Sequence, residues 1–106
     1  MKIHIKATNF ELTTSLKDYV DEKIGSIGKL IKKWDMDSSI EVRVEIGRTT
    51  NHHHKGDVFR AEANLRLPHK ILRAEDENTD IRTAIDRVED MLKREITKYK
   101  ESNKEK

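Results

Sequence analysis

Basic side chains recur along the last third of the chain at spacings that an α-helix would sort into two stripes. On a wheel of about 100° per residue, one stripe holds Arg87, Arg94 and Lys98, and the other holds Arg82, Lys93 and Lys100. Lysine and arginine on one rigid helix can contact successive phosphates of a nucleic acid and release the counterions condensed there. The same side chains could instead lie along the core edge and pair with Asp86, Glu89, Asp90 and Glu95. Composition leaves both interpretations open.

The triplet His52-His53-His54 is a second group with chemical potential, because imidazole is the commonest metal ligand near neutral pH. Adjacent residues of an extended loop point in alternating directions, so at most His52 and His54 could share an ion. The nearest carboxylate in sequence is Asp57. A loop contact with RNA fits the triplet better than a metal site, and we predict neither a metal ion nor a cofactor.

Catalytic motifs cannot be assembled from this sequence. Its carboxylates and hydroxyls are scattered over predicted helix surfaces, with no glycine-rich phosphate loop and no Ser–His–Asp or His–Glu metal motif. The chain has no cysteine, which removes disulfides and thiolate chemistry together. We therefore predict that the protein is not an enzyme and has no small-molecule substrate.

Charge is sorted into blocks along the chain, although the net charge is only +2. Residues 48–73 hold six basic residues against two acids, residues 75–90 hold seven acids against two basic residues, and residues 91–106 are again basic. Such a chain can present a strongly positive surface while it stays near neutrality, which suits a polyanionic partner. Solvated faces of a charge-rich protein would give the same pattern.

Hydrophobic periods divide the chain into six elements that must position these side chains. We predict a strand over residues 2–8, a helix of about five turns from Thr13 or Thr14 to about Lys33, strands over 40–46, 59–67 and 70–74, and a last helix capped by Thr79. Gly25 and Gly28 weaken the second half of the first helix. The apolar face of the last helix is Ile81, Ile85, Val88, Leu92, Ile96 and Tyr99. Trp34 and Tyr19 are expected to complete the core or its rim.

The compact arrangement of these elements is a single α+β domain over residues 1–100, followed by a frayed tail over 101–106. Its four-stranded mixed sheet carries both helices on one face, with the first two strands parallel and the rest antiparallel. No segment approaches the roughly 20 apolar residues of a membrane span, and the N-terminus lacks an apolar signal-peptide core. We therefore expect a cytoplasmic protein with no membrane partner.

Several segments, in this order, resemble one known family. They are the opening strand through Asn9, Leu16-Lys17-Asp18-Tyr19-Val20 followed by Lys23-Ile24, Ile71-Leu72-Arg73-Ala74-Glu75, Asp80, Ala84-Ile85-Asp86, Leu92, and Arg94-Glu95-Ile96-Thr97-Lys98-Tyr99-Lys100. The chain resembles the ribosome hibernation-promoting factors, also called ribosome-associated inhibitors or ribosomal-subunit interface proteins. It departs from them at Ile81-Arg82-Thr83, where an aromatic residue is common, and at Met91, where a basic residue is frequent.

The resemblance implies binding to ribosomal RNA in the small-subunit channel for messenger and transfer RNA, and inhibition by occlusion. Matching positions imply RNA contacts by Lys23, Arg94, Lys98 and Lys100. Charge placement alone adds Lys29, Lys32, Lys33, Arg87 and Lys93. Long members of the family carry a further C-terminal dimerisation domain, whereas this chain resembles the short form, and we expect it to be monomeric off the ribosome.

Two other functions stay open on the sequence alone. A general structured-RNA-binding module would bind unrelated RNA helices with similar affinity. A metal-dependent enzyme built on His52 and His54 would carry a stoichiometric metal ion and turn over a substrate.

Overall fold

The described residues, 1–37, 39–49, 56 and 58–103 of the computed structural model, form four strands, two α-helices and two short 3₁₀ helices. The main elements are β1 (Lys2–Thr8), α1 (Thr14–Gly25), β2 (Glu41–Arg48), β3 (Phe59–Leu67), β4 (Lys70–Asn78) and α2 (Ile81–Asn103). The 3₁₀ helices Ser26–Leu30 and Lys32–Trp34 lie between α1 and β2. This order confirms the predicted α+β class.

The strands form one sheet in the order β1-β2-β3-β4, with β1 parallel to β2 and the other neighbours antiparallel. Its register pairs the buried side chains of neighbouring strands: Val42 lies opposite Leu65, and Val44 lies opposite Ala63. These inward residues share one core with the buried residues of α1 and α2, so both helices cover the same face of the sheet. The predicted topology is therefore confirmed.

The helix α1 begins as predicted but ends earlier. The Thr13 hydroxyl accepts a hydrogen bond from the Leu16 amide at 3.1 Å and caps the helix. Helical structure of the α type stops at Gly25, so the single five-turn helix predicted to about Lys33 was wrong in its second half. The two glycines there weaken the α-helix, and the tighter 3₁₀ turns still bury Ile27 and Ile31 completely.

The strand β4 is longer than predicted, because it continues from Ala74 through the acidic segment to Asn78. There Glu75 and Glu77 lie opposite Glu62 and Arg60 of β3, and Arg60 donates a hydrogen bond to Glu75. A basic partner on the neighbouring strand thus keeps acidic residues in the sheet, despite their low strand propensity.

The helix α2 is capped by Asp80, so the predicted cap at Thr79 was wrong. One carboxylate oxygen of Asp80 accepts from the Arg82 amide at 3.2 Å and the other accepts from the Thr83 hydroxyl at 2.7 Å. The helix runs to Asn103, three residues into the segment predicted as a frayed tail, and residues 104–106 lie outside the described residues. None of the helices described is both long and apolar enough to cross a membrane.

The outer face of the sheet carries a network of paired charges centred on Glu62. Its carboxylate accepts hydrogen bonds from Asn64 at 2.9 Å, Arg60 at 2.6 Å and Arg73 at 3.3 Å, and only 13% of the side chain is exposed. The Asn64 hydrogen bond, together with those from the two guanidinium groups, lowers the pKa of Glu62 to about 2. Much of the positive charge on this face is therefore neutralised within the fold.

The lowered pKa of Glu62 predicts a loss of stability in acid. The ordinary pKa of a glutamate is 4.5, so Glu62 stabilises the fold above that pH, and the contribution is lost as the pH falls towards about 2. We expect Glu62→Gln to flatten the dependence of the unfolding free energy on pH over that range, measured by urea unfolding. Glu11→Gln is the control, since exposed Glu11 has no hydrogen-bond or ion-pair partner among the described residues. A Glu62→Gln variant as acid-sensitive as the parent would contradict this role.

Candidate nucleic-acid interface

The rotation of α2 about its axis is set by its apolar face. Leu92 and Ile96 are 0% and 1% exposed, so the side chains that point away from them, among them exposed Arg94, Thr97 and Lys98, face solvent. There Lys93, Arg94, Thr97 and Lys98 lie side by side on the surface of the helix, and we call this group the α2 ridge. The structure thus brings three of the predicted contact residues together on one rigid element.

A groove lies beside the α2 ridge, between the 3₁₀ helices and the C-terminal half of α2. This Trp34 groove has a volume of about 530 Å³ and is lined by Lys29, Leu30, Lys33, Trp34, Thr97, Lys100 and Glu101. Thr97 lines both the groove and the ridge, so the two surfaces are continuous. Together they gather six of the nine predicted contact residues, namely Lys29, Lys33, Lys93, Arg94, Lys98 and Lys100.

Most of these six cations are not neutralised within the fold. Among residues 1–37, 39–49, 56 and 58–103, no carboxylate lies within 4.0 Å of the charged group of Lys29, Lys33, Arg94, Lys98 or Lys100. Lys93 differs, because its ammonium lies 3.0 Å from Glu89, a carboxylate that also accepts from the Ser26 hydroxyl at 2.8 Å. Five unpaired cations on one surface therefore remain available to an external anion.

The other three predicted residues lie outside this cluster. Lys32 is exposed on the second 3₁₀ helix but does not line the groove. Lys23 lies 3.7 Å from Asp86, and Arg87 lies 4.0 Å from Asp76 of β4. Arg87 shares a stripe of the helical wheel with Arg94 and Lys98, but it lies two turns before Arg94 and faces Asp76 on the edge strand β4.

The outer face of the sheet offers less unpaired charge than the α2 side. Its Arg60 and Arg73 bind Glu62, and His4 lies 3.0 Å from Glu41. Four cations of this face, Lys2, Lys6, Arg43 and Arg66, have no carboxylate within 4.0 Å in the described part of the chain. However, Glu41 and Glu45 lie on the same face of β2 as Arg43, and Glu45 lies opposite Lys6. The α2 ridge and the Trp34 groove are the more strongly cationic surface.

Tyr19 joins the N-terminal halves of α1 and α2. Its hydroxyl donates to Asp86 at 2.5 Å, while the Arg82 guanidinium and the Lys23 ammonium lie 5.3 and 5.6 Å from its ring centre. The hydrogen bond to Asp86, with a further contribution from burial, raises the pKa of Tyr19 to about 12. Tyr19 thus belongs to the rim of the core, as the sequence predicted.

Trp34 was expected to complete the core or its rim, and its role as a wall of the groove was missed. Its ring packs edge-on against Tyr99 with the ring centres 5.1 Å apart. The one local signal was its position directly after Lys32 and Lys33, which places an aromatic ring beside two cations.

Metal-binding side chains do not converge in the described part of the chain, where no three His, Asp or Glu residues could hold an ion. His52, His53 and His54 lie outside the described residues. The predicted RNA contact of this loop and the predicted absence of a metal ion there therefore stay predictions.

The sheet topology and the charged surface define a small α+β domain whose C-terminal helix presents a basic face. A family model described as Sigma 54 modulation protein / S30EA ribosomal protein matches residues 3–104. The chain belongs to this family, which confirms the resemblance found in the sequence.

Two curated relatives carry the name ribosome hibernation promotion factor. The protein from Lactococcus lactis subsp. cremoris is 35% identical over 102 residues, which cover 94% of this chain and 50% of the relative. The protein from Deinococcus radiodurans is 29% identical over 96 residues, which cover 91% of this chain and 47% of the relative. The chain therefore spans about half the length of these relatives.

Two solved structures share the fold. The N-terminal domain of Thermus thermophilus Protein Y superposes with a TM-score of 0.69 at 26% identity, covering 93% of this chain and 99% of that one. A ribosomal subunit interface protein from Coxiella burnetii gives a TM-score of 0.74 at 18% identity, covering 94% and 98%. The second likeness supports the fold alone.

The Tyr19–Asp86 contact yields a titration prediction. In a Tyr99→Phe background, where Tyr19 is the one remaining phenol, tyrosinate absorbance should rise with a midpoint near pH 12. Asp86→Asn should bring the pKa of Tyr19 back towards 10, because the carboxylate no longer favours the protonated phenol. Circular dichroism at each pH checks that the fold persists. A midpoint near pH 10 with Asp86 intact would contradict the contact.

Proposed function

We propose that this domain binds the small ribosomal subunit through ribosomal RNA and inhibits translation by occluding the channel for messenger and transfer RNA. The observation that carries the proposal is the surface formed by the α2 ridge and the Trp34 groove. Its unpaired cations suit a dense polyanion. Membership of the family, and the names of the curated relatives, support the ribosome as the source of that polyanion.

In this proposal Arg94 and Lys98 are the central contacts. They lie one helical turn apart, about 6 Å along the axis of α2, and neither has an ionic partner among the described residues that RNA would have to displace. Lys29, Lys33 and Lys100 continue the contact into the groove, and exposed Lys32 extends it beyond.

Lys93, Lys23 and Arg87 would contribute differently, because each faces a carboxylate of the fold. An RNA phosphate must compete with Glu89, Asp86 or Asp76 for them. The net gain in affinity from these three is therefore smaller than from an unpaired cation.

Occlusion needs binding and no turnover, which suits a domain that acts as a non-catalytic monomer among cytoplasmic ribosomes. A general structured-RNA-binding module is the alternative, because lysine and arginine contact phosphates without regard to sequence. Competition separates the two: an occluding factor is displaced by transfer RNA bound to the subunit, whereas a general module is displaced equally by any RNA helix.

Binding to the small subunit should weaken steeply with salt. In a plot of the logarithm of the binding constant against the logarithm of salt concentration, each phosphate contact contributes about −0.7 to −0.9 to the slope. Four contacts therefore give a slope of about −3. Cosedimentation with purified small subunits over a salt series measures this slope. An affinity independent of salt would contradict binding through the cationic surface.

Reversing charge on the α2 ridge should separate binding from folding. Arg94→Glu with Lys98→Glu should abolish cosedimentation at physiological salt, since two attractive contacts become repulsive. Stability should change by only about 0.5 kcal/mol per site, because both side chains are exposed.

The matched control is Lys6→Glu with Arg43→Glu, which makes the same change in net charge on the outer face of the sheet. This pair should retain most binding. If the control abolishes cosedimentation while the α2 ridge variant retains it, the outer face is the interface. Thermal melting of both variants verifies the fold.

A further inference from the structure

The Trp34 groove has a feature that phosphate binding does not require. Leu30 and Trp34 give it an apolar wall, while Lys29, Lys33 and Lys100 supply positive charge around that wall. The neighbouring α2 ridge, by contrast, consists of three cations and a threonine, and it includes no aromatic residue. An aromatic wall beside unpaired lysines matches a ligand that is planar and anionic at once.

The indole is held in place before any ligand arrives. The backbone amide of Trp34 donates a hydrogen bond to the Ile31 carbonyl at 2.9 Å, which closes the second 3₁₀ helix. Its ring packs against Tyr99, whose hydroxyl donates to the Pro68 carbonyl at 3.1 Å and so fixes the second ring. A ring braced in this way loses little conformational entropy when another ring stacks on it.

One side of the indole is reached by a solvated cation. The Lys33 ammonium lies 5.6 Å from the ring centre, and Lys33 is exposed. The ring is therefore accessible from the groove. A ligand that covers this side would release the Lys33 ammonium to a neighbouring phosphate.

We propose that the Trp34 groove binds one unpaired nucleobase of an RNA strand, stacked on the indole, with flanking phosphates on Lys29, Lys33 and Lys100. The inference rests on the proposed function, because it takes RNA as the ligand of this surface. The groove volume of about 530 Å³ lies within the range of roughly 300–1,000 Å³ that small-ligand sites occupy. Bases inside an RNA helix are not accessible for such stacking, so the target is a single-stranded or looped-out nucleotide.

Trp34 is the sole tryptophan of the chain, so its fluorescence reports directly on the groove. We expect hexa-adenylate RNA to quench this fluorescence in a saturable way. A blunt RNA duplex with as many phosphates should bind, as judged by the anisotropy of a labelled strand, and leave the emission largely unchanged. Binding of both RNAs with no quenching by either, or no binding of hexa-adenylate, would overturn the inference. Saturation by adenosine monophosphate at the same concentration would assign the groove to a free nucleotide and would also overturn it.

Substitutions test the stacking itself. Trp34→Leu keeps an apolar side chain against Tyr99 and should weaken hexa-adenylate binding about tenfold. Trp34→Phe keeps a ring and should retain most of the affinity. Equal affinity for all three proteins overturns the proposal, and if Trp34→Leu does not fold, the fluorescence of the parent still decides.

Cosedimentation of the parent with the small subunit keeps the two proposals separate. Cosedimentation without quenching by hexa-adenylate means that the inference fails while the proposed function stands. Quenching without cosedimentation means that the groove takes a base but the ribosome is not the partner.

Discussion

The contact of α2 with the sheet determines how this domain presents its charge. Leu92 and Ile96 are buried against a sheet face that the alternation of β3 and β4 makes apolar. Turning α2 by a quarter turn would expose these side chains and bury lysines. The free-energy cost of that rotation would far exceed the stabilisation that a surface ion pair provides. The hydrophobic effect therefore selects which cations face outward, although none of those cations takes part in the core.

Polar contacts then fix how α2 meets the segment before β2. Glu89, at 8% exposure, accepts from Ser26 and pairs with Lys93, so a carboxylate near the core ties the first 3₁₀ helix to α2. Tyr19 and Asp86 make a comparable tie closer to the start of α2. These links hold the two walls of the Trp34 groove at a set distance, so its shape is a property of the folded domain before any ligand arrives.

The sequence predicted best what depends on neighbours along the chain. Alternating residues located β3 at its observed bounds, and the spacing of apolar residues located the buried face of α2. The end of α1 at Gly25 was missed, because the penalty of about 1 kcal/mol for a helical glycine competes with the tertiary packing of Ile27 and Ile31. The groove was missed because it too depends on tertiary packing: Trp34 and Lys100 come together only after residues far apart in sequence have packed. Which cations stay unpaired also depends on those distant contacts.

The uneven pairing of charge over the described surface has a kinetic consequence. Arg60 and Arg73 on the outer face of the sheet are held in ion pairs, whereas five cations of the α2 ridge and the Trp34 groove have no carboxylate within 4.0 Å among the described residues. This uneven distribution gives the domain an electric dipole, which its net charge of +2 does not reveal. In the field of a polyanion, such a dipole orients a molecule during diffusion and not only after contact. A larger fraction of encounters then begins with the α2 side leading, so the rate of productive association rises without any additional contact in the final complex.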